Sequence, residues 1–291
     1  MLGRADSSDE IDRGERADTL NSSNGGGLQG SVPAGVGKPI LSVEELSVIY
    51  KGGGIGVQGV SLQVWPSQIV TLVGPNGAGK TSTLRGIAGL LKRDAAKASK
   101  GKIKFLGRDI GDLAPWDRSR AGLVMVPERE KIFTDLTVFE NLQVGVGRNN
   151  RRGSGDLREM ALSVFPDLRN HLNRKGGYLS GGQRQMLALA SALCMGPKLM
   201  IVDELTLGLS PAVIASMVTS LTKIASAGIP ILAAEQSVAV ALEFSNTIHV
   251  LESGRQVASG TKETLLAGDG ILSTFLGSKW SGSFKGNARE Q

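Results

Sequence analysis

Gly74, Gly79, Lys80 and Thr81 stand at the spacing G-x-x-x-x-G-K-[ST], inside LVGPNGAGKTS (residues 72–82). Residues of these types at this spacing suit the gripping of a polyphosphate. Glycines let the backbone curl until successive N–H groups point inward. A lysine at the end of the loop reaches β- and γ-phosphates, and the hydroxyl after it is placed for Mg2+. Pro75, Asn76, Gly77, Ala78 and Ser82 complete the predicted cradle. A second chemical set is LMIVDE (residues 199–204). Asp203, at the end of an apolar run, is positioned to hold Mg2+, usually through water. Glu204 beside it can take a proton from an attacking water.

These residues need elements to hold them. QIVTLV (residues 68–73) is a short β-branched run that reads as a buried strand, and KTSTLRGIAGLL after the loop has helical spacing at Leu84, Ile87 and Leu91. A phosphate in the loop then meets a helix N-terminus, where unpaired N–H groups and the dipole favour an anion. PKLMIVDE and PILAAEQ read as two further buried strands of the parallel type. YLSGGQ (residues 178–183) opens a helix with apolar Met186, Leu187, Ala190, Leu193 and Cys194, stopped by Gly196 and Pro197. Its free N–H groups and the Ser180 hydroxyl form a second phosphate-binding surface, best used in trans on a nucleotide held by another subunit. Cys194 reads as core packing.

GIGVQG (residues 54–59) also matches a dinucleotide-binding pattern, G-x-G-x-x-G, but that pattern needs a helix to follow. Val60, Leu62 and Val64 alternate with polar residues instead, so the segment reads as a hairpin connection between strands. KGKIKFLGRDI reads as an inserted hairpin and GLVMVPE as a strand with its exit loop; residues 135–178 read as helical, interrupted by a polar basic loop, GRNNRRGSGD. Alternating strands and helices from residue 68 onward predict an α/β core. Residues 1–38 are polar with mixed charge and read as a disordered tail, and residues 279–291 as a frayed end.

Composition narrows the class. The chain has 291 residues, 41% of them hydrophobic, and a mean hydropathy of zero. No apolar run approaches the roughly 18 residues of a membrane span. The N-terminus lacks the apolar core of a secretory signal, and the single cysteine fits a reducing compartment. A net charge of +6 is mild for this length, and 4% aromatic residues argue against stacking platforms for single-stranded nucleic acid.

GPNGAGKT, LSGGQ and LMIVDE, in that order over residues 39–278, resemble the ATPase subunit of an ABC transporter. The resemblance implies a P-loop NTPase with a RecA-like core, an antiparallel β subdomain and an inserted helical subdomain at about residues 129–178. It implies ATP and Mg2+ as ligands, with Lys80 and Glu204 catalytic and Thr81 and Asp203 at the metal. It also implies that Tyr50 stacks on adenine, and that Ser180, Gly181, Gly182 and Gln183 contact an ATP bound by a partner subunit.

The sequence departs from the general pattern at four places. Glu128 stands where most relatives have Gln at the metal, Gln236 where most have His at the γ-phosphate, Ser210 where the loop after Asp203 usually has Asp, and Leu205 where many have Pro. His171 and His249 fall elsewhere and read as structural. Together with VPEREKIFTDLTVFENL and EQSVAVALEFSNTIHVLESG, these departures resemble the second ATPase subunit of branched-chain amino acid importers, with urea and short-chain amide importers close by. That resemblance implies a heterodimer with a second ATPase subunit, two membrane permeases, an extracytoplasmic substrate-binding protein, and a peripheral place on the cytoplasmic face of the cell membrane. A soluble ATPase of nucleic acid or ribosomes is the alternative. Against it, Lys80 and Ser180 are only about a hundred residues apart with no heptad run, and the chain carries one cassette.

Overall fold

Alternation of apolar residues makes β1 (Leu41–Tyr50) and β2 (Ile55–Val64) an antiparallel pair, with Val60, Leu62 and Val64 turned to the core. The computed structural model describes residues 37–129, 131–146, 154–204 and 206–267. The predicted tail up to residue 36, the C-terminal stretch from 268, residues 147–153 of the basic loop and Leu205 lie outside the described residues. The turn between β1 and β2 is narrower than expected. It occupies residues 51–54, closed by Tyr50 N–H donating to Gly54 O at 2.8 Å, so most of GIGVQG is strand and no helix follows it.

After β2 come β3 (Ile69–Val73) and α1 (Lys80–Ala88). Gly89 adopts a left-handed backbone (φ 79°) and ends α1, so Leu91 falls outside the helix and opens a short 3-10 turn, Leu91–Asp94. The predicted hairpin is β4 (Ala96–Phe105) with β5 (Arg108–Asp109), joined through Leu106 and Gly107, both left-handed as a two-residue hairpin turn requires. β4 pairs with β1, giving an antiparallel sheet in the order β2-β1-β4-β5.

There follow α2 (Pro115–Arg120), β6 (Leu123–Val126), α3 (Val138–Val146) and α4 (Ser154–Val164). Residues 135–178 are not continuously helical. Pro166 ends α4, and 3-10 turns at Pro166–His171 and Gly176–Tyr178 lead to α5 (Gly181–Cys194). The remaining elements are β7 (Leu199–Asp203), α6 (Pro211–Ser226), β8 (Ile231–Glu235), α7 (Val238–Phe244), β9 (Thr247–Glu252), β10 (Arg255–Gly260) and α8 (Lys262–Ala267).

β6, β7, β8, β3 and β9 form the parallel part of a six-stranded sheet, with β10 antiparallel at its edge. The strands are buried on both faces, and their period of two sorts side chains into two cores. Leu72, Leu199, Ile201 and Leu232 pack with Leu84 and Ile87 of α1 and with the antiparallel sheet. Ile69, Met200, Val202 and Ile231 pack on the other face with α3, α4, α5 and α6. Leu84 and Ile87 are fully buried, and each such burial is worth roughly 1.5–3 kcal/mol. Arg118 on α2 fastens the helix end that faces away from the P-loop. It is 3% exposed and donates to the carbonyls of Gly86, Ile87, Gly111 and Leu113 at 2.7–3.0 Å.

Candidate active site

Parallel pairing brings the chemically equipped residues to one edge of the sheet. Val73 is in register with Glu235, and Asp203 with Ala234. The loop after β3, the acids at the end of β7 and the turn after β8 therefore emerge side by side at the C-terminal strand ends, where open α/β sheets bind ligands.

The loop of residues 74–79 is held by close approach. A Cβ on Gly79 would lie 2.5 Å from Val57 Cγ1 and 2.6 Å from Gly56 O, and its φ is +101°. Only glycine fits there. No side chain caps α1, so its first N–H groups are left for a ligand. Lys80 is 4% exposed, and its Nζ donates to Gly74 O at 2.7 Å and Pro75 O at 3.1 Å. Burial lowers its pKa, while Glu204, Asp203 and Glu235 oppose that shift. Tyr50, Ile55 and Gly56 line a cavity of about 290 Å3 with Asn76, Gly77, Gly79, Lys80, Thr81, Ser82 and Glu204. The Tyr50 hydroxyl is 2.7 Å from Ser82 Oγ, which seats the ring beside the loop. Pro75 and Ala78 shape the loop from inside, since Ala78 N–H donates to Pro75 O and Ala78 O accepts from Gly254 N–H.

Thr81 Oγ1 donates to Asp203 Oδ1 at 3.0 Å, and Asp203 Oδ2 is buried without a protein partner. Burial raises the Asp203 pKa; the Thr81 hydrogen bond and Arg85 resist, and Glu128 adds to the rise. A threonine hydroxyl and a buried carboxylate with one orphaned oxygen fit a hard divalent cation. Burial also raises the Glu204 pKa, followed by Glu128, and Lys80 pulls it down. Glu204 itself sits in a left-handed backbone (φ 48°), a conformation uncommon outside glycine and concentrated at functional positions.

Not all of the predicted set converges on this cavity. Glu128 lines a neighbouring cavity of about 450 Å3 with Arg85, Asp94 and Arg129, and pairs with Arg129 Nε at 3.2 Å. Its charge still reaches Asp203 and Glu204. Gln236 is exposed and outside the P-loop cavity. The LSGGQ residues lie apart at the start of α5. Ser180 Oγ accepts from Gln183 N–H at 3.2 Å and Gln183 Oε1 accepts from Ser180 N–H at 3.1 Å, a reciprocal cap. Gln183 Nε2 donates to Asp167 Oδ2 at 3.2 Å and lies 3.0 Å from His171 Nε2. Both ends of the Gln183 carboxamide are thus engaged within the chain. Gly182 faces inward, where a Cβ would come within 2.7 Å of Val213 Cγ1, while Gly181 is exposed. His249 is buried in β9, and Cys194 is buried with its thiol pushed up to about 12 by burial.

Sequence reasoning passed over Glu235. It is 3% exposed, and it accepts hydrogen bonds from Thr206 Oγ1, Gln236 N–H and Ser237 N–H. The signal was present: ILAAE, like LMIVDE, is an apolar strand that ends in an acid.

Residues 57–207 match the ABC transporter family. The chain belongs to that family. It is a transporter ATPase, and it hydrolyses ATP. The high-affinity branched-chain amino acid transport ATP-binding protein BraG of Pseudomonas aeruginosa is 32% identical over 82% of this ATPase and 100% of the relative. The probable branched-chain amino acid transport ATP-binding protein LivF of Archaeoglobus fulgidus is 36% identical over 71% and 86%. The lipopolysaccharide export system ATP-binding protein LptB of Haemophilus influenzae is 31% identical over 83% and 98%. Among solved structures, an ATP-binding cassette of an ABC transporter in its ADP conformation superposes with a TM-score of 0.71, at 24% identity, over 83% of this chain and 100% of that one. The fold is accordingly the ABC type of P-loop NTPase. Among the described residues no helix is long and apolar enough to cross a membrane.

Proposed function

We propose that this ABC ATPase is the energy-coupling subunit of an importer for branched-chain amino acids. The observation that carries the reading is the pair of relatives named for that transport, BraG and LivF, matched over nearly their whole length. Glu128 and Gln236, the substitutions typical of that subfamily, agree with it. In this reading a second ATPase subunit and two permeases complete the complex at the cytoplasmic face of the membrane, and an extracytoplasmic binding protein delivers the cargo. No residue of this chain touches the cargo, and nucleic acid is not a partner. LptB supports a second reading, coupling to lipopolysaccharide export.

The geometry at Lys80, Thr81, Asp203 and Glu204 supports the chemistry we assign, and the roles of Tyr50, Glu128 and Gln236 rest on the family resemblance. Loop N–H groups and Lys80 hold the phosphates, and Tyr50 covers the adenine. Thr81 and Asp203 would hold Mg2+, and the Glu128 charge would bear on it from the neighbouring cavity. Bound Mg2+ offsets charge on the phosphate oxygens. Glu204 takes the proton from water as its oxygen bonds to the γ-phosphorus and the bond to ADP breaks, and Gln236 donates an amide N–H to the γ-phosphate. Ser180, Gly181 and Gly182 present the start of α5 to an ATP on the partner, and Gln183 supports that surface through its internal hydrogen bonds.

Purification of the native complex through a C-terminal tag tests the assignment. Two permeases, a second ATPase with His at the γ-phosphate position, and stimulation of ATP hydrolysis by a leucine-loaded binding protein are expected. Recovery of lipopolysaccharide-export subunits supports the second reading. Ribosomes without membrane proteins would remove the transport assignment and leave the ATP site in place.

A further inference from the structure

Glu235 is almost wholly buried at the end of β8, yet every hydrogen bond it accepts comes from a loop at the edge of the active site. Thr206 Oγ1 donates to Oε2 at 2.8 Å from the loop that begins with Glu204. Gln236 N–H and Ser237 N–H donate to Oε1 at 2.8 and 3.1 Å from the turn that carries Gln236. Ser237 in turn caps α7 by accepting from Val240 N–H at 3.3 Å. One side chain thereby fixes two loops that have no other hydrogen bond to each other among those described.

We infer that Glu235 is a positioning residue for ATP hydrolysis, clamping the loop of Glu204 to the turn of Gln236 so that both face the γ-phosphate in one register. The inference rests on the reading of Glu204 and Gln236 as the groups at the γ-phosphate. A buried carboxylate serving stability alone would accept the same hydrogen bonds, so the consequence that separates the two is kinetic. Clamped loops act as a unit, and groups that act as a unit lose turnover non-additively.

The test uses the full chain in its purified complex, with kcat and KM for ATP measured for Thr206→Val, Gln236→Ala, the double variant, Glu235→Gln and Glu235→Ala. Thr206→Val keeps the shape and the two backbone hydrogen bonds and removes only the link between loops, so it stays informative should Glu235→Ala not fold. We expect Thr206→Val to lower kcat by about fivefold or more with KM within about twofold, and the double variant to be little slower than Gln236→Ala. Glu235→Gln keeps the oxygen that serves the backbone N–H groups, and the Thr206 hydroxyl can turn to accept from its amide, so it should retain kcat to within about threefold while Glu235→Ala loses tenfold or more. Effects of Thr206→Val and Gln236→Ala that multiply would overturn the inference, as would a Glu235→Gln variant as slow as Glu235→Ala. Wild-type turnover in Gln236→Ala would overturn the reading of Gln236 itself, and the inference with it.

Discussion

At the scale of single residues, Glu204 and His249 show how burial changes what a titratable group can do. Glu204 lines the P-loop cavity, and its pKa is raised by burial and by Glu128, which makes it a better proton acceptor than a solvated carboxylate. Glu204→Gln keeps the shape and removes the base. Phosphate release should fall by about a hundredfold or more, with ATP retained in the closed complex, read by single-turnover phosphate release and by nucleotide recovered after rapid desalting. Undiminished turnover would remove Glu204 from the proton-accepting role. His249 is held neutral. Burial lowers its pKa to about 4, and the Gln256 side chain beside it opposes the shift without reaching good hydrogen-bond geometry. In the unfolded chain the imidazole binds a proton near pH 6.5. Its contribution is therefore complete above pH 6.5 and is lost as pH falls towards 4, by at most roughly 3 kcal/mol. Asp203 and Glu204, with raised pKa values, act with the opposite sign. The measure is thus the denaturant midpoint of wild type relative to His249→Leu, which should move against wild type between pH 7 and pH 5.

At the scale of elements, close packing rather than hydrogen bonding sets how the helices meet. α3 and α5 touch through Gly145, where a Cβ would come within 2.3 Å of Ser191 O and 3.1 Å of Cys194 Cβ. A backbone carbonyl cannot move aside as a side-chain tip can, so Gly145→Ala forces the helices apart. We expect a loss of about 1–3 kcal/mol by chemical denaturation, with Cys194 becoming reactive to thiol reagents as the contact opens. Unchanged stability would show that the crossing repacks freely. The loop that enters α3 is fixed by Asn141, 3% exposed, which donates to the carbonyls of Phe133, Leu136 and Thr137 and accepts from Phe133 N–H. These hydrogen bonds give residues 133–137 a defined path into α3, which packs on α5, the helix that LSGGQ opens.

At the scale of the whole molecule, α1 is the shared part. It packs between the antiparallel sheet and the parallel sheet, and its N-terminus is the proposed nucleotide site. A ligand bound there stabilises both layers together. ATP with Mg2+ at about a hundred times its dissociation constant should add about 2.7 kcal/mol to the unfolding free energy, seen as a single upward-shifted thermal transition. Lys80→Ala should abolish that shift. A shift confined to one of two separate transitions would mean that the layers unfold independently.

Local spacing was enough to read the glycine-rich loop between β3 and α1, the acids at the end of β7 and the helix start at Ser180, whereas the reciprocal cap that engages the Ser180 hydroxyl was not foreseen. Each is contiguous in sequence, and its backbone geometry follows from glycine, strand periodicity or a capping residue within a few positions. Boundaries set by local punctuation were less legible: Gly89 cut α1 short of Leu91, and Pro166 broke the expected helical run. What depended on tertiary structure was everything joined across strands. The register of β3 with β8 brought Glu235 beside the P-loop, and only burial made its three hydrogen bonds consequential. Likewise, the chain could be read to Gln183, but not to Asp167 and His171 as the partners of its carboxamide. Periodicity reports which face of an element is apolar. It carries no information on which polar group from a distant loop will be closed off from water against that face, and in a low-dielectric interior that pairing controls the energy.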